Sequence, residues 1–122
     1  MYVEGLSMKD LSYLKPFIRL SIGNPESGST SAFGLGVANL CMGVRELGSL
    51  NAAAKSMGMA YSKAWRIMKE TEAALDVQIL DRDGAHGSQL TEEGNRILDT
   101  YFALVSDFQA ESSESLKKFL QA

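Results

Sequence analysis

The sequence predicts a mostly α-helical domain carrying one small β-hairpin, and three observations lead there. Apolar residues recur at three- and four-residue steps through residues 37–47, 64–75 and 97–108. Between the second and third of these stretches the period changes to that of short strands, around the turn sequence DGAHG. Glycines at positions 48 and 58 separate the first helical stretch from the second.

Taken in order, residues 1 to about 13 show no strong period. Ile18, Leu20 and Ile22 alternate with polar residues and predict a short half-buried strand over residues 18–22. The adjoining GNPESGSTS, residues 23–31, is rich in turn formers and reads as a loop. Gly34-Leu35-Gly36 lacks the remaining residues of a phosphate-binding loop and reads as the approach to a helix. In that helix Val37, Leu40, Cys41, Val44 and Leu47 form the apolar stripe, and Gly48 takes the C-terminal position. A second, short helix fits residues 52–57, with Asn51 as N-cap and Gly58 as terminator. A third fits residues 61–75, with Ala64, Met68, Thr71 and Leu75 along one stripe. Residues 77–82 and 88–90 form the hairpin. Thr91 then caps a final helix that begins with Glu92 and Glu93, the charge sign a helix N-terminus favours. Residues 1–32 are thus a strand and loop, 33–91 the helical body with its hairpin, and 92–122 the long C-terminal helix.

Composition narrows the function. At 122 residues, 45% hydrophobic and 22% charged, the chain is one globular domain able to bury a core. A single cysteine, Cys41, and a single histidine, His86, exclude an internal disulfide and a Cys/His metal site. No apolar run approaches a membrane span, and the N-terminus lacks a basic stretch before an apolar one, so a cytoplasmic location is expected. No paired carboxylates, nucleophile–base set or cofactor motif is visible, so neither enzymatic activity nor a cofactor is expected; Cys41 falls on an apolar helical face.

Three helices with a tight turn between the second and third, then a hairpin, is the plan of a winged helix-turn-helix. In that plan the second helix braces the third, whose outer face lies in a DNA major groove, while the wing reaches the flanking backbone. Ala52, Ala53 and Ala54 are small enough to let the second helix approach the third. Trp65 and Met68 read as core. The opposite side of the third helix offers Tyr61, Ser62, Lys63 and Arg66 for base or phosphate contact, and Lys69 for phosphate. Arg82 and His86 are the wing's offering. Without the motif, a solvated helix face is the better reading of the same residues.

The stretch GSLNAAAKSMGMAYSKAW, residues 48–65, resembles the N-terminal domain of the ModE family of molybdate-responsive regulators, and the LTEEG of residues 90–94 is similar to the opening of the helix after that family's wing. The wider LysR-type group shares both features; Met59, Tyr61, Ala64 and Trp65 together point to the ModE branch. The resemblance implies a DNA-binding transcriptional regulator that pairs as a homodimer on an inverted-repeat operator. Ser62 stands where that family has a basic residue, and the wing is shorter and less basic. Nothing in the chain resembles the molybdate-binding domains that come after the long helix in that family, so molybdate is not expected to bind this chain.

The C-terminal helix carries two apolar rows, Ile97/Tyr101/Leu104/Phe108 and Leu98/Phe102/Val105. One row covers the domain's own core, and the other, taken as Ile97, Tyr101, Leu104 and Phe108, is expected to pair two subunits; a monomer burying one wide stripe is the alternative. The net charge of −3 bears on the DNA reading. Residues 43–82 carry six basic and five acidic groups, whereas residues 91–122 carry three basic and six acidic, so the excess acid lies on the long helix. A margin of one positive charge predicts modest DNA affinity. Ser62, the depleted wing and the acidic total leave open a winged-helix module that has lost strong DNA binding and pairs with a protein partner through the long helix.

Overall fold

The computed structural model describes residues 9–82 and 87–121. In chain order the elements are β1 (Ile22–Asn24), a 3-10 turn (Pro25–Ser27), β2 (Ser29–Phe33), α1 (Leu35–Leu47), α2 (Leu50–Ser56), α3 (Tyr61–Leu75), β3 (Leu80–Arg82), β4 (Ser88–Leu90) and α4 (Glu92–Gln121). The strands form two separate antiparallel pairs, β1 with β2 and β3 with β4. The architecture is the expected one, mostly helical with a hairpin wing and a long C-terminal helix.

The N-terminal region corrects the sequence reading. The strand expected over residues 18–22 begins only at Ile22, and the stretch expected as a loop is itself the return of a hairpin, with Ile22 opposite Phe33 and Asn24 opposite Ser29. The turn residues sit inside that hairpin. Asn24 accepts from the Glu26 N–H at 3.0 Å, and Gly28 adopts φ +80°, a conformation glycine takes without steric cost. Ser27 and Asn24 then donate to the Ala74 and Leu75 carbonyls, fastening the hairpin to the end of α3. Residues 16–20 lie along α4 instead of pairing as a strand. The Gln109 amide accepts from the Ile18 N–H at 3.2 Å and donates to the Pro16 carbonyl. The Tyr101 hydroxyl donates to the Leu20 carbonyl at 3.2 Å. The apolar alternation of this segment thus reflects contact with a helix.

The core gathers Phe33, Leu40, Cys41, Val44, Leu50, Met68, Ile79 and Leu98. α1 turns its expected stripe inward except at Leu47, which is 52% exposed. The chain turns away at Gly48 (φ +85°), and Leu50, fully buried, takes the core position instead. α2 begins earlier than expected, at Leu50. Ser49, in extended conformation, accepts from the Ala52 N–H at 3.0 Å and is the N-cap in place of Asn51. The small residues of α2 serve α1 as well as α3: a Cβ on Gly43 would lie 2.6 Å from the Ala53 Cβ, so only glycine permits that approach. Burial pushes the Cys41 thiol up to about 12. A thiol reagent such as Ellman's is therefore expected to leave Cys41 unmodified in the folded protein and to react at once in denaturant; rapid labelling of the native state would contradict this packing.

α3 spans the expected residues and buries Ala64, Met68 and Thr71, ending at Asp76, which takes φ +57°. The wing strand expected from Val77 starts at Leu80. Glu72 holds the Ile79 and Leu80 N–H groups at 2.8 and 2.9 Å, so residues 77–79 are a connector pinned to α3. Thr91 caps α4 as expected, accepting from the Gly94 N–H at 2.9 Å. α4 continues as one helix of 30 residues, about 45 Å long. No helix among the described residues is long and apolar enough to cross a membrane.

Of the two rows on α4, Leu98 is fully buried and Tyr101 is 2% exposed. Tyr101, expected on the pairing face, instead belongs to the chain's own core, its ring 5.6 Å from that of Phe33. Its hydroxyl has a reason to stay inward, since Leu20 supplies the acceptor. Tyr101→Phe is expected to cost about 1 kcal/mol by urea denaturation; an unchanged midpoint would show that this hydrogen bond does not hold residues 16–20 in place.

Candidate nucleic-acid interface

α3 presents one face to the core and the other to solvent. Inward lie Ala64, Met68 and Thr71; outward lie Tyr61, Ser62, Lys63, Arg66 and Lys69, all exposed. The five residues expected on the third helix are thus brought together on one surface. Within residues 59–69 that surface holds no carboxylate, the first being the exposed Glu70. The N-terminal half of α3 is therefore electropositive and its C-terminal half mixed.

The start of α3 adds to this. Ala60 is its N-cap and offers no side-chain acceptor, and no acidic residue stands in the first turn. The opposite holds for α4, with the Thr91 cap and two glutamates in its first turn. An uncapped N-terminus leaves backbone N–H groups and the positive end of the helix dipole open to an anion. α2 contributes Lys55, exposed in its last turn next to α3. The sequence motif does not single out Lys55; its place in the helix that braces the recognition helix, where backbone contacts arise, is the signal that could have found it.

Lys69 is placed differently from its neighbours. Its ammonium lies 3.3 Å from a Glu72 oxygen and 4.5 Å from the centroid of the Trp65 ring. Trp65 packs against the core while keeping this outer contact, so it is only partly the buried residue expected. Lys69 is thereby drawn back along the helix, whereas Lys63 and Arg66 make no ion pair among the described residues. Arg45, at the end of α1, is committed to α4 through Asp99 at 2.9 Å and Asn95 at 2.8 Å.

β3 and β4 pair Leu80 with Leu90, Asp81 with Gln89 and Arg82 with Ser88. Leu80 and Leu90 are buried and anchor the hairpin on the core. The returning strand docks on the turn after α1, where the Ser88 N–H donates to the Gly48 carbonyl at 3.3 Å. Arg82 ends β3 at the outer end of the wing. His86 lies outside the described residues. No group of three His, Cys, Asp or Glu among the described residues is arranged to hold a metal ion.

Residues 39–95 match the family of the bacterial regulatory helix-turn-helix protein, lysR family. This segment is similar to a LysR-type helix-turn-helix domain. The match runs from α1 through the wing into the first turn of α4, the portion that contains Lys55, the whole of α3 and Arg82. Solved structures similar to the chain include two of CbnR. The crystal structure of the CbnR DBD–DNA complex is 26% identical with a TM-score of 0.54, covering 66% of this chain and 92% of that one. The crystal structure of CbnR, a LysR family transcriptional regulator, is 27% identical with a TM-score of 0.52 over 64% of this chain. The chain spans 27% of the length of that regulator. No curated protein matches the sequence.

Proposed function

We propose that this LysR-type domain binds double-stranded DNA through the first two turns of α3 and serves transcription regulation, with no catalytic step. The observation that carries the reading is the exposed, carboxylate-free surface of Tyr61, Ser62, Lys63 and Arg66 at an uncapped helix N-terminus. N-terminal residues of a recognition helix are those that meet base edges, and Arg and Lys are the residue types that read guanine or hold phosphate. The similar CbnR structure, crystallised as a complex with DNA, supports the same use of this domain. Lys55 and the start of α3 would hold phosphates on either side, and Arg82 and His86 would extend the contact to the flank. Lys69, held by Glu72 and Trp65, is the weakest member of the set.

α4 is proposed to pair two copies of the chain, so that two α3 helices meet an inverted repeat about one helical turn apart. With Tyr101 in the core, the surface left for pairing is built from Leu104 and Phe108, the latter 45% exposed, with Ile97 at its edge. The finer, ModE-like assignment rests on Met59, Tyr61, Ala64 and Trp65, and molybdate is not expected to bind these residues. A second reading, a partner-binding winged-helix module, draws on the exposed Glu70 and on the single excess positive charge of residues 43–82.

Selection of duplexes from a random pool, then fluorescence anisotropy across salt, tests the proposal. Enrichment of one sequence, bound at least about tenfold more tightly than a scrambled duplex and with affinity falling steeply as salt rises, is expected. Sequence-independent binding too weak to survive about 150 mM salt would favour the partner-binding module.

A further inference from the structure

The base of the wing is held from both sides at the two peptide units that flank Ile79. From α3, Oε2 of Glu72 accepts from the Ile79 N–H at 2.8 Å and the Leu80 N–H at 2.9 Å. From the start of α4, the Thr91 N–H donates to the Ile79 carbonyl at 2.9 Å, and the Thr91 hydroxyl donates to the Gln78 carbonyl at 2.7 Å. Gly94 closes against the same Ile79 carbonyl, so tightly that a Cβ there would lie 2.5 Å from its oxygen. The other oxygen of Glu72 meets the Lys69 ammonium at 3.3 Å, and the Glu72 side chain is only 11% exposed. One carboxylate, nearly shut off from water, thus joins the recognition helix to the wing and to a cation on the DNA-facing surface.

Strands of three residues do not fix their own orientation; the anchoring of the wing's base does. Charge-assisted bonds from a carboxylate to backbone N–H groups are stronger than neutral ones and set a direction as well as a distance. Building on the DNA-binding reading, we propose that Glu72 is a positioning residue that sets the angle between the wing and α3 and thereby decides whether the wing reaches the DNA flanking the recognition-helix site. The same residue holds Lys69 in an ion pair, which leaves Tyr61, Ser62, Lys63 and Arg66 as the α3 side chains free to meet the DNA.

Two substitutions separate these roles. Glu72→Gln keeps an oxygen that accepts from both N–H groups but loses the charge that holds Lys69. Glu72→Asp keeps the charge but is one methylene too short to reach both N–H groups. The wing angle is read from residual dipolar couplings of the amides of β3, β4 and α3 in the free protein. Contact with DNA is read by hydroxyl-radical footprinting and anisotropy on the duplex that wild-type protein selects from a random pool. With Glu72→Asp the β3 and β4 couplings are expected to shift relative to α3, protection of the flanks to disappear while the centre stays protected, and affinity to fall about tenfold. Glu72→Gln is expected to retain both the angle and the flank protection, and to gain salt dependence as Lys69 is released. Wild-type couplings and footprint in Glu72→Asp, or loss of the wing angle in Glu72→Gln, would overturn the proposal. Were the wild-type protein to select no duplex, the DNA-binding reading would fall, and the couplings alone would still decide whether Glu72 sets the angle.

Discussion

Replacing Lys63 and Arg66 together by alanine is expected to abolish sequence-specific DNA binding while leaving the fold intact. Both side chains are exposed, neither makes an ion pair among the described residues, and both stand on the half of α3 that carries no carboxylate. A well-placed Arg or Lys contact to a base contributes about 1–3 kcal/mol of discrimination. Losing two should weaken binding to the selected duplex by at least about thirtyfold. Each single variant is expected to be weaker than wild type, and Lys63→Ala should lower the salt slope by about one if the ammonium meets a phosphate. Exposed substitutions of this kind usually change stability by less than about 0.5 kcal/mol. Unfolding midpoints should therefore stay with wild type, which separates loss of contact from loss of structure. Lys69→Ala is the internal comparison: bound to Glu72 and stacked on Trp65, it should cost far less affinity than Lys63→Ala.

Gly94→Ala is expected to be the most destabilising single methyl addition among the glycines within the helices. The new Cβ would lie 2.5 Å from the Ile79 carbonyl oxygen and 3.0 Å from its side chain. Ile79 cannot move aside, because Glu72 holds its N–H and Thr91 its carbonyl. Either α4 tilts away from the wing or the clamp opens. Overpacking a rigid site costs about 1–3 kcal/mol and sometimes more, against a whole-domain stability of about 5–15 kcal/mol. A loss of about 3 kcal/mol is expected by urea denaturation. Gly36→Ala gives the contrast: no atom lies within 4 Å of a Cβ built there, and alanine in the first turn of α1 should stabilise the protein by a few tenths of a kcal/mol or more. Equal midpoints for the two variants would show that α4 and the wing base are not in the close contact described.

The helical body is legible in the sequence because each of its signals is local. The stripes of α1 and α3, the glycine after α1 and the Thr91 cap depend on residues within a turn or two of one another. The features the sequence hides depend on contacts between segments far apart. Residues 16–20 alternate like a strand but are held by Gln109 and Tyr101 of α4, about eighty to ninety positions along the chain. The period of α4 supplies two apolar rows without saying which faces inward, and so places Tyr101 on the pairing face; the Leu20 carbonyl draws it into the core instead. β3 starts three residues late, and Glu72 takes the Ile79 N–H that a longer strand would use. On the site itself, the motif locates Tyr61, Ser62, Lys63 and Arg66 on one exposed surface. It does not distinguish Lys69, whose difference arises from an i,i+3 pairing and a ring contact. It also passes over Lys55, which precedes the third helix in sequence but belongs to the helix packed against it.

The most direct test of the central claim is an NMR titration of the isotope-labelled wild-type protein with its selected duplex. Shifts concentrated on the amides of Ala60, Tyr61, Ser62, Lys63 and Arg66, with smaller ones at Lys55 and along the wing strands, are the predicted result. Shifts confined to α4, or none on α3 at saturating DNA, would contradict it.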